Sequence, residues 1–124
     1  MRFRELTDMA FVRSFVEKSI PQYLQLIQKE PQNFGAHYRL AYICLLGGRY
    51  RAALALYEQL DRSAPGRTDV IENLALCQET LGDIDGARRS LTRLEALAVA
   101  SGNQQYAARL RERLQRLRVV RGGP

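Results

Sequence analysis

The sequence repeats itself with a period of 34 residues, and this feature restricts the possible folds more than any other. When the chain is shifted by 34 positions, residues of the same class coincide along two successive units. The matching pairs are Leu40 with Leu74, Ala41 with Ala75, Gly48 with Gly82, Ala53 with Ala87, Tyr57 with Leu91 and Leu60 with Leu94. Regular self-similarity of this length is typical of chains built from stacked supersecondary units.

Within each unit the apolar residues recur at the spacing of an α-helix, and glycine interrupts the pattern once. In the first unit one apolar stripe covers residues 40–45 and a second covers residues 53–60. The glycines between the stripes, Gly47-Gly48 in the first unit and Gly82 in the second, can adopt the left-handed conformation that ends a helix. Each unit is therefore predicted to be a helical hairpin whose alanines let two helices approach closely. The residues expected to pack within the repeats are Leu40, Ala41, Ala53, Tyr57, Leu74, Ala75, Ala87 and Leu91.

These units resemble the tetratricopeptide repeat. The pattern of that family is an aromatic, Leu, a small residue and an aromatic, followed later by Ala, an aromatic and Pro. The first unit matches it with His37, Leu40, Ala41, Cys44, Ala53, Tyr57 and Pro65. The second unit has Ile71, Leu74, Ala75, Gln78, Ala87, Leu91 and Val99, which keep the small residues but lack the aromatics and the proline. The resemblance implies an all-α fold, a right-handed superhelical stack of about three helical hairpins plus a C-terminal capping helix, with about seven helices.

We expect residues 1–124 to form a single domain of this type. Its parts are an irregular first repeat over 1–31, repeats over 34–67 and 68–101, a capping helix over 103–120 and a tail over 121–124. In the first repeat Ser14 stands where the turn glycine belongs, and Pro21 falls inside the expected second helix. That helix is therefore expected to start late, with Ser19 as its N-cap. A pair of N-terminal helices that is not a repeat is the alternative.

The last segment is predicted to be one amphipathic helix that covers the final apolar face of the stack. Its apolar stripe consists of Ala107, Leu110, Leu114 and Leu117. From Arg109 to Arg121 the chain has six arginines and one glutamate, so this segment carries most of the formal net charge of +6.

The residue types needed for catalysis or metal binding are scarce. The chain has one histidine, His37, in the bulky aromatic position of its repeat, where it is expected to pack between helices. Cys44 and Cys77 lie in helical patterns and are expected to be core thiols. We therefore expect no enzyme, no cofactor and no metal site. Without a long apolar run or a signal-like N-terminus, a cytoplasmic location is the default expectation.

The family resemblance implies that the first helix of each repeat lines a concave groove that holds another polypeptide. The predicted partner-binding residues are Tyr38, Arg39, Tyr42, Asp69, Glu72, Asn73, Leu76, Tyr106 and Arg113, with Leu110 beside them. Tyrosine and arginine often anchor protein interfaces. We therefore expect a non-enzymatic protein-interaction module, either an adaptor or a secretion- or assembly-type chaperone.

Two alternatives stay open at this point. The arginine-rich helix over 103–120 could bind nucleic acid or an anionic surface through phosphate groups. The chain could also form a homodimer through the apolar residues Phe11, Val12, Phe15 and Val16.

Overall fold

The computed structural model describes the backbone of residues 3–121 and the side chains of residues 9–117. That part of the chain contains six α-helices and no strand. The helices are α1 (Phe3–Lys29), α2 (Phe34–Leu46), α3 (Tyr50–Ser63), α4 (Thr68–Thr80), α5 (Ile84–Ala100) and α6 (Gln104–Arg121). The chain divides into two compact units, Met1–Leu60 and Asp61–Pro124. The all-helical prediction is confirmed, and residues 122–124 of the predicted tail lie outside the described residues.

The N-terminal segment forms one long helix instead of the predicted irregular hairpin, which reduces the expected number of helices by one. α1 continues through Ser14, the expected turn, and through Ser19, the expected helix cap. Positive φ occurs only at glycines among the described residues, so Ser14 adopts ordinary helical geometry and does not end the helix. Pro21 lies inside α1, where its missing N–H removes one helical hydrogen bond without ending the helix. The alternative pair of N-terminal helices is not formed either.

Turns of one design follow α2, α4 and α5. Each contains a glycine with positive φ: Gly48 at 73°, Gly82 at 82° and Gly102 at 80°. The amide of the next residue donates to the carbonyl five residues earlier, in the pairs Arg49 to Cys44, Asp83 to Gln78 and Asn103 to Ala98, each at 2.8 Å. Such bonds satisfy carbonyls that a helix end leaves open. The predicted turns at Gly48 and Gly82 are confirmed.

The small residues of the repeat pattern are completely buried. Ala41, Ala53, Ala75 and Ala87 each have 0% of their surface exposed. The larger residues at the neighbouring pattern positions are buried as well, namely Leu40, Tyr57, Leu60, Leu74, Leu91 and Leu94. In the first unit α1 packs on α2, and in the second α5 packs on both α4 and α6. Burial of these apolar side chains is the main favourable term for each unit.

α6 begins two residues later than the 34-residue period predicts. α2 begins at Phe34 and α4 at Thr68, but α6 begins at Gln104 instead of position 102. α5 has 17 residues against 14 in α3, and the turn after it is one residue shorter. A shift of two residues rotates a helix by about 200°. Leu110 is therefore 0% exposed, and its predicted place beside the groove residues is wrong.

The apolar stripe that periodicity predicted for α6 does face the core. Ala107 and Leu110 are buried in a cluster with residues of α4 and α5, and the half-buried Leu114 and Leu117 pack against that cluster. The helix thus covers an apolar face of its own unit.

Asp83 is the N-cap of α5, since the Gly86 amide donates to Asp83 Oδ1 at 3.0 Å. Asp83→Ala is expected to lower the free energy of unfolding by about 0.5–2 kcal/mol, because it leaves an amide of the first turn without its acceptor. Urea denaturation monitored by circular dichroism measures this change. Asp83→Asn keeps an acceptor at the same place and is expected to lose much less; equal losses in the two variants would contradict the capping role.

Candidate functional site

The predicted binding residues of α2 differ in exposure. Tyr42 exposes 47% of its surface, and Arg39 is also exposed. Tyr38 is half-buried, and its ring stacks on Phe34 with 6.4 Å between the ring centroids and 23° between the planes. Tyr38 therefore contributes to the packing of its own helix, whereas nearly half of the Tyr42 surface is available to a partner.

Leu76 occupies in α4 the position that Tyr42 occupies in α2. The two residues are 34 positions apart, and each follows the N-cap of its helix, Asn33 or Arg67, by nine residues. Leu76 is 41% exposed, and it is the only apolar side chain of α4 that is exposed. Each of these two first helices thus presents a large apolar side chain to solvent at the same repeat position, and α2 exposes Leu46 as well.

Two hydrogen bonds join α4 to α6 within the second unit. The Tyr106 hydroxyl donates to Glu72 Oε1, and Arg113 Nη2 donates to Glu79 Oε1 at 2.7 Å. The two contacts are seven residues apart along each helix, so α4 and α6 run side by side in the same direction. The structure therefore pairs Glu72 with Tyr106 and Glu79 with Arg113.

The Tyr106 hydroxyl stays protonated at physiological pH. Burial raises its pKa most, and the hydrogen bond to Glu72 and the charge of that carboxylate raise it further. Arg113 and Arg109 act in the opposite direction, and the Arg109 guanidinium carbon lies 5.7 Å from the centre of the Tyr106 ring. The hydroxyl therefore donates to Glu72, and the positive charges of Arg109 and Arg113 lie near enough to act on it.

The other predicted residues of α4 are also engaged or partly covered. Arg67 Nη2 donates to Asp69 Oδ2 at 2.7 Å, and the Val70 amide donates to Asp69 Oδ1 at 2.9 Å. The Arg67 and Asp69 side chains are 44% and 42% exposed, so water weakens the attraction between them. Asn73 is half-buried. Among the predicted binding residues of α4, Leu76 therefore has the most exposed apolar surface for a partner to bury.

Several arginines of α6 already bind groups of the second unit. Arg109 lies over the Tyr106 ring, Arg111 Nη1 donates to Glu95 Oε1 at 3.3 Å, and Arg113 binds Glu79. The side chains of Arg118 and Arg121 lie outside the described residues. These contacts leave fewer free guanidinium groups for phosphates than the sequence suggests.

The side chains considered for catalysis are used in packing. His37 is buried, and its Nδ1 lies 2.8 Å from the Asn33 carbonyl oxygen, as suits a ring N–H donating to it. Burial raises the pKa of the Cys77 thiol to about 11 and raises that of Cys44, which Arg49 partly offsets. Both thiols are therefore protonated at physiological pH and are poor nucleophiles.

Over the described residues, no three or more His, Cys, Asp and Glu side chains are grouped so as to hold a metal ion. No helix within residues 3–121 has the length and apolar character needed to cross a membrane.

The apolar residues suspected in self-association lie on α1 and differ in exposure. Phe11 is 71%, Phe15 46% and Val12 38% exposed, whereas Val16 is only 3% exposed and belongs to the core. The homodimer stays a prediction, and light scattering at high protein concentration would test it.

Family models described as tetratricopeptide repeat match residues 10–68 and residues 45–114. The second match covers more than half of the chain, and the two together extend over the whole of α2 to α5, most of α1 and the first part of α6. The chain belongs to the tetratricopeptide repeat family. A comparison with curated protein sequences finds no significant match.

Solved structures with a similar fold include the crystal structure of PcrH in complex with the chaperone binding region of PopD. That match has a TM-score of 0.71 and 19% identity, and it covers 98% of this chain and 96% of the matched chain. MamA 41-end from Desulfovibrio magneticus RS-1 matches with a TM-score of 0.63 and 15% identity over 89% of this chain and 70% of its own. The MamA RS-1 ArsTM double mutant matches at 0.62 and 16%, over 86% and 67%. At these identities the similarity concerns the fold alone.

Proposed function

We propose that this protein is a non-enzymatic interaction module that binds a segment of another polypeptide through the first helices of its repeats, as a chaperone or adaptor does. The observation that carries the proposal is the repeated exposure of an apolar side chain, Tyr42 on α2 and Leu76 on α4. Fully burying an exposed side chain of this size is worth about 1.5–3 kcal/mol, and a little under half of each side chain is still available for burial by a partner. Because these positions recur with the repeat, they suit a ligand that is itself a chain of side chains.

The comparisons support a polypeptide as the class of ligand. Members of the tetratricopeptide repeat family generally act as protein-interaction modules. PcrH, whose fold is similar over 98% of this chain, was solved in complex with the chaperone binding region of PopD. A chain with this fold and of similar extent therefore has room for a region of a partner protein.

The double substitution Tyr42→Ala with Leu76→Ala tests the proposal. Affinity-purified protein would be used to capture partners from the source cell, and capture by the double variant is expected to fall about tenfold. Helical content and the free energy of unfolding should change little, because both side chains are exposed.

The matched control is Leu24→Ala with Val99→Ala. These side chains are 49% and 47% exposed, and they lie on α1 and α5 instead of on the first helices of the two repeats. The control is expected to capture partners as well as wild type. Undiminished capture by the Tyr42/Leu76 variant, or an equal loss in the control, would refute the assignment.

A further inference from the structure

We infer that α6 determines which polypeptides bind α4. Tyr106 and Arg113 already donate hydrogen bonds to Glu72 and Glu79. A partner therefore binds α4 with an apolar, uncharged segment that contacts Leu76, and not with a basic segment that contacts the carboxylates. The inference rests on the proposed function and names the chemistry of the partner. It makes Tyr106 and Arg113 specificity-determining residues that need not touch the partner themselves.

The sequence of α4 taken alone favours the opposite preference. α4 contains three acidic residues, Asp69, Glu72 and Glu79, and no basic residue. A helix with this composition attracts lysine and arginine side chains, because opposite charges steer and orient protein partners. Each of the three carboxylates, however, already accepts a hydrogen bond from a side chain of the second unit.

Glu79 is the carboxylate that is most fully compensated. It receives the Arg113 guanidinium at 2.7 Å, and the two side chains are only 29% and 33% exposed. Water screens a partly buried pair less than a surface pair, so the attraction within it is stronger. A basic residue of a partner would have to displace Arg113 and leave that guanidinium without its carboxylate. Replacing Arg113 at Glu79 by a basic residue of the partner would therefore bring no net gain in binding free energy.

Glu72 is exposed, but its surroundings are electrically balanced. The Tyr106 hydroxyl donates to it, and the positive charges of Arg109 and Arg113 both act on that hydroxyl. With Glu79, the junction of α4 and α6 therefore holds two carboxylates and two guanidinium groups. Its local charge is close to zero.

Leu76 lies on the surface of α4 between Glu72 and Glu79, the two carboxylates that accept hydrogen bonds from α6. It follows Glu72 by four residues and precedes Glu79 by three, and residues at these spacings are neighbours on one face of a helix. An apolar side chain with neutral surroundings binds a partner through burial, which salt screening does not weaken. The remaining carboxylate, Asp69, is held by Arg67.

The test is a selection from a phage-displayed library of random peptides on the immobilised full chain. Wild type is expected to enrich apolar peptides with few lysines and arginines, and their binding should be insensitive to salt. The variant Tyr106→Phe with Arg113→Met removes both donors and keeps the bulk of the side chains. It should enrich lysine- and arginine-rich peptides and bind them about three- to fivefold more tightly than wild type does.

Two controls separate the loss of charge compensation from general damage to α6. Arg111→Met removes an arginine of the same helix whose carboxylate partner, Glu95, is on α5, and it should keep the wild-type preference. Adding Glu72→Gln with Glu79→Gln to the Tyr106/Arg113 variant should abolish the preference for basic peptides. If the double variant loses its helical signal, Tyr106→Phe and Arg113→Met alone should each give part of the shift.

Three results would overturn the inference: basic peptides selected by wild type, an unchanged selection by the Tyr106/Arg113 variants, or no peptide selected at all. Binding to the Tyr42→Ala, Leu76→Ala variant separates this failure from failure of the proposed function. If that variant loses the selected peptides while the Tyr106/Arg113 variants keep the wild-type preference, only the role of α6 is wrong. If it retains them, the proposed binding surface is wrong as well.

Discussion

Replacing Leu110 by alanine is expected to lower the free energy of unfolding by about 2–5 kcal/mol. The Leu110 side chain is 0% exposed and belongs to a buried cluster with Ile71, Leu91 and Leu94. Truncation removes apolar contacts and leaves a cavity among residues of three helices that can close only in part. Urea denaturation followed by far-ultraviolet circular dichroism measures the loss.

Leu76→Ala is the matched control, because Leu76 and Leu110 are 34 residues apart and would be equivalent positions if the period continued unshifted into α6. Leu76 is 41% exposed, so its truncation should cost less than about 1 kcal/mol. Similar costs at the two leucines would contradict the two-residue shift of α6 and would favour the unshifted period.

Gly47→Ala is expected to cost about 1–3 kcal/mol for a different reason, the overpacking of a close contact. Gly47 has an ordinary φ of −84°, so its backbone does not require glycine. A Cβ at this position would lie 2.7 Å from Val16 Cγ1, and Val16 is itself only 3% exposed. The end of α2 and the middle of α1 would have to separate to admit the methyl group. A shift of the urea midpoint reports the change.

Gly35→Ala gives the comparison at the other end of α2. The nearest atom to its added Cβ is Asn33 Oδ1 at 3.5 Å, an ordinary contact distance. Alanine is favoured over glycine in a helix, so this change is expected to be neutral or to stabilise by up to about 1 kcal/mol. Destabilisation of equal size at both glycines would mean that the contact with Val16 is not the cause.

The helical hairpins could be predicted from the sequence because their signals are local. Glycine at positions 48 and 82 is needed where φ is positive, and Asp83 caps the helix that starts beside it. Leu40 and Leu74 recur with the period because each fills the same place in its own unit. Each of these features depends on residues close together in the chain or related by one repeat.

The N-terminal helix could not be predicted in the same way. Ser14 permits a turn but does not impose one, and a continuing helix satisfies the backbone at no further cost. Pro21 indicates a boundary only when losing one hydrogen bond outweighs the packing of the whole helix. The extended packing of α1 on α2 decides the outcome, and the sequence pattern does not contain it.

The orientation of α6 shows two sequence signals in conflict. Its leucine stripe placed Leu110 in the core, whereas the arrangement implied by the family resemblance placed the same residue beside the groove. The structure follows the stripe, because the longer α5 changes the register before α6 begins. Burial of apolar surface supplies the free energy that orients α6, whereas a regular repeat spacing supplies none. The helical periodicity of the α6 leucines therefore predicts its orientation better than the repeat arrangement does.

The contacts between α4 and α6 were missed because they depend on which helices lie side by side. A usable signal was nonetheless present. Glu72 and Tyr106 are one period apart, and so are Glu79 and Arg113. Two side chains that lie one period apart, one a hydrogen-bond donor and the other an acceptor, are therefore candidates for direct contact between neighbouring first helices.

The same two contacts limit how the second unit can move. They are seven residues apart on each helix, a distance of about 10 Å along the axis. A helix attached at one point can pivot or slide, but attachment at two separated points opposes both motions. The two contacts together therefore hold α4 and α6 in one register within the second unit.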